Sequence, residues 1–266
     1  MKQILEAVEY LKERTADYKP EVGIILGTGL GGFVDSIDVD FAIPYGEIPN
    51  MPVSTVVGHA GQMIFGRVAG RRIVAMQGRF HYYEGYTMRQ VTFPVRVMAL
   101  LGIGQLFVSN AGGGINTSFC VGDLMIITDH INLLPNPLIG PNMDCGPRFP
   151  DMHDCYSRRL RDLATQIAER EAIKLQYGVY VGTTGPTFET QAEYRYFKAI
   201  GGDVVGMSTV PETIVARHMG VPVFGVSVIT NCGLSDQIGD HEDVQEQGRR
   251  AGLRMSKLFV ELIKSL

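Results

Sequence analysis

Three short stretches of this chain place an acid, a hydroxyl and an amide at the ends of successive predicted strands. They are residues 185–190 with Glu189, residues 205–212 with Met207 and Ser208, and residues 228–231 with Thr230 and Asn231. A carboxylate accepts hydrogen bonds, whereas a hydroxyl and a carboxamide both donate and accept. Because ligands of open α/β sheets bind at the carboxyl ends of strands, these groups predict a polar binding site there.

The elements that must position these groups alternate between strand and helix patterns. Strands are predicted at residues 22–26, 62–68, 72–76, 105–109, 123–127, 177–181, 203–205 and 223–229. Helices are predicted at residues 4–12, 87–101, 191–200, 211–219 and 242–264. We therefore expect an α/β fold in one domain over residues 1–266, with a mixed, mostly parallel twisted sheet flanked by helices.

Composition and charge exclude several classes of protein. The 266 residues are 45% hydrophobic and 20% charged, with a net charge of -4 that provides no basic face for nucleic acid. We find no apolar run long enough to cross a bilayer and no secretory segment at the start. The four cysteines lack metal-ligand spacing. We expect free thiols and a cytoplasmic protein with neither a membrane nor a nucleic-acid partner.

A glycine-rich loop follows the first predicted strand. Gly27, Gly29 and Gly32 match the pattern G-x-G-x-x-G of dinucleotide-binding proteins, which also requires a following helix and an acidic residue about 20 positions on. Residues 33–52 contain three prolines and favour strand and turn instead. The glycines alone allow a tight turn or a phosphate cradle, and the hydroxyl of Thr28 favours the cradle.

Two further strand ends carry groups suited to an anion. Residues 110–114 are a run of small residues that we interpret as a loop, which could be a simple turn or could direct its backbone N–H groups at an anion. Arg79 and His81 follow another strand, and their spacing places both on one side of an extended chain. Together these elements predict an oxyanion pocket.

These motifs resemble the purine nucleoside phosphorylases of the homotrimeric class. The resemblance runs from residues 26–31 to residues 241–244, and its longest matches are residues 77–86, 185–190 and 206–212. It implies the nucleoside phosphorylase fold and the reversible cleavage of purine ribonucleosides by inorganic phosphate. It also implies a cytoplasmic homotrimer without a metal or an organic cofactor.

The resemblance assigns a role to each matching residue. The phosphate ligands would be Thr28, His59, Arg79, His81, Ala111 through its backbone, and Ser208. The residues facing the ribose would be Tyr83, Met207, His241 and, from a neighbouring subunit, Phe149. The purine would be held by Phe188, Glu189, Val205, Gly206, Thr230 and Asn231, and the catalytic residues would be His81, Glu189 and Asn231.

This chain also departs from the family pattern. Thr28 stands where relatives often have serine, and Val57 replaces a frequent proline before Gly58. The interval between Asn231 and His241 is shorter than in mammalian members, which makes His241 the least supported of the assigned residues. We interpret the remaining histidines as structural or surface residues: His130, His153 and His218.

The chemistry follows from the residues as well. Cleavage of a purine N-glycosidic bond places positive charge on the sugar and negative charge on the base. A phosphate dianion can attack the sugar and offset its charge. Asn231 can pair with purine O6 and N7, and a Glu189 carboxylate accepts a hydrogen bond from N1–H. This pairing predicts 6-oxopurine substrates such as inosine and guanosine, and poor cleavage of adenosine.

Three alternatives remain at this point. A nucleotide-dependent dehydrogenase is suggested by the glycines, but it lacks the second half of that motif. A methylthioadenosine phosphorylase would be expected to carry acidic or hydroxyl residues in place of Glu189 and Asn231. A nonenzymatic nucleoside-binding protein would keep Phe188 and Met207 without needing the anion-binding residues. Release of ribose 1-phosphate from inosine, dependent on added phosphate, separates these possibilities.

Overall fold

The computed structural model describes residues 1–27, 31–53, 60–233 and 241–266. The strands in these ranges are β1 (Val22–Leu26), β2 (Asp38–Pro44), β3 (Gln62–Val68), β4 (Arg71–Gln77), β5 (Gln105–Gly114), β6 (Leu124–Asn132), β7 (Leu175–Gly182), β8 (Val204–Gly206) and β9 (Val223–Cys232). The helices are α1 (Lys2–Arg14), α2 (Met88–Val91), α3 (Phe93–Leu100), α4 (Arg158–Arg170), α5 (Gln191–Ala199), α6 (Val210–His218) and α7 (His241–Lys264).

The strands form one mixed sheet in the order β2-β3-β4-β1-β5-β8-β7-β6-β9. Five of the nine described pairings are parallel and four are antiparallel. A further pairing between β5 and β9 joins the last strand to the middle of the sheet. Strands β5, β8, β7, β6 and β9 therefore close into a ring. The α/β prediction is confirmed, and the closure is a feature that the sequence pattern did not reveal.

Helices cover the sheet and bury its apolar side chains. Helix α7 packs Phe259 against Phe107 of β5 and Phe224 of β9, with ring centroids 5.4 Å and 6.0 Å apart. On another face, Leu11 of α1 and Met98 of α3 are fully buried in one cluster. At about 25 cal/mol for each Å² of apolar surface removed from water, these contacts hold the sheet as a rigid support for the loops at its edge.

The prediction that residues 110–114 form a loop is wrong. Strand β5 continues through Gly114, pairing in parallel with β9 and, at Gly113 and Gly114, antiparallel with β8. A register shift between Gly112 and Gly113 marks a bulge in this pairing. Small residues are tolerated here because neighbouring strands approach closely, which is a packing requirement that resembles a turn signal in sequence.

Other predicted elements are confirmed with small changes. The predicted helix over residues 87–101 divides at Thr92 into α2 and α3, since Pro94 lies in the first turn of α3. Residues 33–52 form short 3₁₀ turns around the strand β2, as the prolines indicate. Within the described ranges, none of the helices is long and apolar enough to cross a membrane.

Candidate active site

One pocket gathers most of the predicted site residues. From the phosphate and ribose sets it is lined by Arg79, His81, Tyr83, Ala111, Met207 and Ser208. From the base set it is lined by Phe188, Glu189, Val205, Gly206, Thr230 and Asn231. The pocket also contains four residues of the two predicted small-residue loops that had no individual role assigned: Gly27, Asn110, Gly112 and Gly113.

The pocket forms where the neighbours of β5 diverge. Strand β1 pairs with β5 up to Val108, and β8 begins to pair with it only at Gly113. Neither described pairing covers residues 109–112 on that edge, so their backbone groups border the pocket. The backbone of Ala111 can therefore face a bound phosphate, as predicted, although it belongs to a strand and not to a loop. Gly27 belongs to the same region, since an added Cβ would lie 2.6 Å from the carbonyl oxygen of Ser109.

Arg79 is held below one end of this pocket. Its guanidinium donates to Thr209 Oγ1 at 3.1 Å and to the carbonyl oxygens of Ile25 and Ser109. It also forms an ion pair with Glu212, with Nη1 3.4 Å from Oε1. These contacts fix the cation beside the carboxyl end of β1 and the middle of β5, where it can attract an anion.

Thr209 links the groups at this end of the pocket, although the sequence analysis did not single it out. Its hydroxyl accepts from Asn110 Nδ2 at 2.9 Å and lies 3.2 Å from Ser208 Oγ. The backbone φ of Thr209 is 70°, a conformation rare for a β-branched residue. This turn places Ser208 directly before α6, and the N-terminal end of a helix favours negative charge. Residues in such conformations are concentrated at ligand sites.

His81 is oriented by Glu84 and Tyr83. The carboxylate of Glu84 accepts from the His81 backbone N–H at 2.7 Å and lies 3.1 Å from Nδ1. The ring of Tyr83 stacks on the imidazole with centroids 4.7 Å apart. Burial lowers the pKa of His81 below its ordinary value, while Glu84 opposes that shift. The imidazole is therefore neutral near pH 7, with its Nδ1 side directed to Glu84.

Glu189 and Asn231 lie at the other end of the pocket and share a neighbour, Tyr194. Asn231 Nδ2 donates to the Tyr194 hydroxyl at 3.2 Å, and the Glu189 carboxylate lies close enough to the same hydroxyl for the two groups to interact. The hydroxyl of Thr230 donates to Asn231 Oδ1 at 3.3 Å. Burial is the largest influence on Glu189 and raises its pKa. This end therefore offers a carboxylate and a fixed carboxamide to a heterocycle.

Strand β5 sets the distance between the two ends. Asn110 is bonded to Thr209 at the anion end, whereas a Cβ added to Gly113 would lie 3.2 Å from Asn231 Nδ2. Three residues of extended strand span roughly 10 Å at about 3.3 Å each. This spacing matches a ligand with an anion at one end, a small polar linker and a planar heterocycle at the other.

Of the four remaining predicted residues, one lies away from the pocket, and the side chains of the other three are not described. Phe149 is 88% exposed and borders a second cavity with His130, Leu138 and Ile139. His241 begins α7, but its side chain is not described. Thr28 and His59 lie outside the described residues, as does Val57.

The other histidines occupy separate surroundings. His130 Nδ1 lies 3.2 Å from the hydroxyl of Tyr156, and His218 is buried at the end of α6. His153 follows Asp151 in a loop, where its backbone N–H donates to that carboxylate. None of these three lines the pocket that contains Asn231. The four cysteines are free thiols, as predicted.

Comparisons with known proteins agree with this geometry. Residues 21–264 match the model of the Phosphorylase superfamily. The purine nucleoside phosphorylase 1 of Geobacillus stearothermophilus is 55% identical, over 99% of this chain and 97% of that protein. The chain belongs to the purine nucleoside phosphorylases of this superfamily.

Solved structures of the family share the fold over the whole chain. The Schistosoma mansoni purine nucleoside phosphorylase in complex with inosine has a TM-score of 0.95 and 43% identity, covering 100% of this chain and 97% of that one. The same Schistosoma enzyme in complex with adenosine also has a TM-score of 0.95 and 43% identity, covering 100% and 98%. The resemblance inferred from the motifs is therefore confirmed at the level of family and fold.

Proposed function

We propose that this protein catalyses the reversible phosphorolysis of 6-oxopurine ribonucleosides and 2′-deoxyribonucleosides. Inosine and guanosine would yield the free base and (deoxy)ribose 1-phosphate. The observation that carries the proposal is the pair of polar ends in one pocket, separated by roughly 10 Å of strand β5. Arg79 and Ser208 mark one end, and Glu189 and Asn231 mark the other.

The anion end would hold inorganic phosphate as the attacking nucleophile. Arg79 supplies the charge, and Ser208, His81 and the backbone at Ala111 supply hydrogen-bonding groups. Thr28 and His59 complete this set in the proposal. A phosphate fixed below the ribose attacks C1′ as the bond to the base breaks, and its charge stabilises the cationic sugar. Positioning of this kind removes roughly 7–11 kcal/mol of barrier in well-oriented intramolecular reactions.

The base end would stabilise the departing purine. The Asn231 amide can accept from N7–H and donate to O6, and the Glu189 carboxylate can accept from N1–H. Phe188, Val205, Gly206 and Thr230 line the same region. In this proposal Met207, Tyr83 and His241 face the ribose between the two ends. Adenine lacks N1–H, so the site discriminates against adenosine in the transition state.

The alternatives have less support. The dinucleotide motif requires a crossover helix after the glycine loop, whereas the described residues 31–47 form 3₁₀ turns and the strand β2, which pairs antiparallel with β3. Glu189 and Asn231 argue against methylthioadenosine as the substrate. A nonenzymatic binding protein would have no need for the buried cation Arg79 beside Ser208.

Further parts of the proposal concern the state of the protein. We treat residues 1–266 as one catalytic domain, since the nine described strands belong to one sheet. The reaction as proposed uses phosphate as a co-substrate and needs no organic cofactor or metal. Free cysteines are consistent with action in the cytoplasm.

We also propose a homotrimer in which Phe149 reaches a neighbour's ribose site. Phe149 and Ile139 are 88% and 73% exposed and border one cavity with Leu138. Large exposed apolar groups of this kind are typical of interfaces. Light scattering should report three chains, and Phe149→Ala should raise KM for inosine. A fully active monomer would remove Phe149 from the site.

The direct test is a coupled assay of the purified protein with inosine. Hypoxanthine and ribose 1-phosphate should form only when phosphate is added, and guanosine and the 2′-deoxy substrates should behave alike. Hydrolysis to free ribose without phosphate, or no turnover of any of these nucleosides, would contradict the proposal. Because the Schistosoma relative forms a complex with adenosine, the assay must compare the rates of cleavage of adenosine and inosine and not only their binding.

A further inference from the structure

Tyr194 occupies a position behind the base end of the pocket. It lies on α5, is 4% exposed, and places its hydroxyl between Glu189 and Asn231. Gly113 of β5 leaves room for that hydroxyl, because a Cβ added there would overlap it. The tyrosine is thus enclosed between α5 and β5, next to Asn231 of β9.

The hydrogens of this cluster can be counted. A tyrosine hydroxyl has one hydrogen to donate, and an ionised carboxylate can only accept. The Tyr194 oxygen accepts from Asn231 Nδ2, 3.2 Å away, which leaves the Tyr194 hydrogen available for the nearby Glu189 carboxylate. Because only a nitrogen can donate, this contact decides which way the Asn231 amide faces.

Thr230 supports the same orientation from the opposite side. Its hydroxyl lies 3.3 Å from Asn231 Oδ1 and also 3.3 Å from the Gly112 carbonyl oxygen, so its one hydrogen is shared between these two acceptors. One hydrogen of Nδ2 and one acceptor direction of Oδ1 then remain for a ligand. These are the two interactions that a 6-oxopurine with a protonated N7 requires.

We propose that Tyr194 is a positioning residue that sets the orientation of the Asn231 amide and ties it to Glu189, so that the pair recognises 6-oxopurines as a unit. The inference rests on the proposed function and extends it to a residue that does not line the pocket. Loss of the hydroxyl should leave the phosphate end unaffected, since Tyr194 has no described contact with Arg79 or Ser208.

The ionisation of Glu189 provides a second readout. Burial and the charge of Glu193 raise the pKa of Glu189, whereas hydrogen bonds from Tyr194, Thr183 and its own backbone lower it. Cys232 is the other titratable group near the tyrosine hydroxyl. Glu189 must be ionised to accept from N1–H. Removing the Tyr194 hydroxyl therefore raises the pKa of Glu189, and activity is lost at a higher pH as the solution is acidified.

The experiment compares wild type with Tyr194→Phe, which keeps the ring. We expect kcat/KM for inosine to fall about tenfold and the ratio of kcat/KM for inosine to that for adenosine to decrease. The acidic limb of the pH profile should shift to higher pH. KM for phosphate should stay within twofold. Tyr196→Phe is the matched control, because Tyr196 lies on the same helix with its side chain exposed. That variant should match wild type throughout.

A double-mutant cycle with Asn231→Ala separates positioning from general damage. Without the amide there is nothing for Tyr194 to orient, so Tyr194→Phe should cost much less in that background. The inference would be overturned if the two substitutions reduced kcat/KM for inosine additively. It would also be overturned if Tyr194→Phe reduced kcat/KM equally for inosine and adenosine and left the acidic limb of the pH profile in place. If wild type itself fails to cleave inosine with phosphate, the proposed function falls first. Thermal unfolding of each variant identifies any that does not fold. In that case the inference is tested by the pH profiles of Asn231→Ala with and without Tyr194→Phe, and an acidic limb that does not move between these two proteins would overturn it.

Discussion

Arg79 and Glu212 form an ion pair that is almost fully enclosed by protein. Nη1 and Oε1 lie 3.4 Å apart, and the two side chains are only 2% and 3% exposed. A cation meant to bind phosphate is thus already partly balanced by a carboxylate on α6. Because the interior has a low dielectric constant, this carboxylate opposes an incoming phosphate more strongly than a surface charge would.

Glu212→Gln should separate stability from phosphate affinity. Removing one partner of a buried pair costs about 3–5 kcal/mol of unfolding free energy, since the buried Arg79 loses the charge of Glu212. Phosphate can supply that charge, so KM for phosphate should fall several-fold. Thermal unfolding with phosphate and with chloride at equal ionic strength measures both effects. An equal stabilisation of variant and wild type by phosphate would contradict this account.

Arg79→Lys should weaken phosphate binding while keeping the charge. Lysine has no planar fork, and its three N–H groups cannot replace the contacts to Thr209, to Glu212 and to the carbonyls of Ile25 and Ser109 while also binding phosphate. We expect KM for phosphate to rise at least tenfold, with KM for inosine changed little. Steady-state kinetics with each substrate varied in turn measures this. Arg158→Lys is the control, because Arg158 is exposed at the start of α4; a similar change there would point to a nonspecific effect.

Much of the fold and many of the pocket residues could be predicted because strands and motifs are local signals. The apolar strand before Arg79 and the proline at the start of α6 are both visible in sequence. The strand character of residues 110–114 was not, since glycine in a bulged, closely packed strand has the same composition as a turn. Whether residues 110–114 form a strand or a turn depends on their pairing with β8 and β9, which lie far away in sequence.

The residues that sequence reasoning missed are those that act through a partner. Tyr194 appears as an ordinary core residue of an amphipathic helix, and Glu212 as an acid in a first helical turn. Their significance depends on contacts across 37 and 133 residues of chain. A φ of 70° at Thr209 is equally invisible in a Ser-Thr-Val-Pro string.

Glu84→Gln should shift the pH dependence of phosphate binding to lower pH. Glu84 raises the pKa of His81 against the effect of burial, so loss of its charge lowers that pKa further. The protonated imidazole, which can donate to phosphate, is then lost at a lower pH as the pH rises. KM for phosphate, measured from pH 5 to pH 8, should therefore begin to rise at a lower pH in the variant than in wild type. Superimposable profiles would show that His81 is not coupled to phosphate. Glu9→Gln, on the exposed face of α1, should leave the profile unchanged.

Asn231→Asp tests the basis of leaving-group activation. The substitution keeps the acceptor toward Thr230 but removes the N–H that donates to Tyr194 and, in the proposed complex, to O6. A protonated aspartate could instead donate to N7 and accept from the 6-amino group of adenine. Burial favours that protonated form.

We therefore expect kcat/KM for inosine to fall in Asn231→Asp. The ratio of kcat/KM for adenosine to that for inosine should rise at least tenfold, which corresponds to about 1.4 kcal/mol of differential transition-state binding. Both values must come from one preparation, with unfolding followed in parallel. If both substrates decline together and the ratio stays flat, Asn231 supports the pocket without reading the base, and the proposed recognition of 6-oxopurines is wrong.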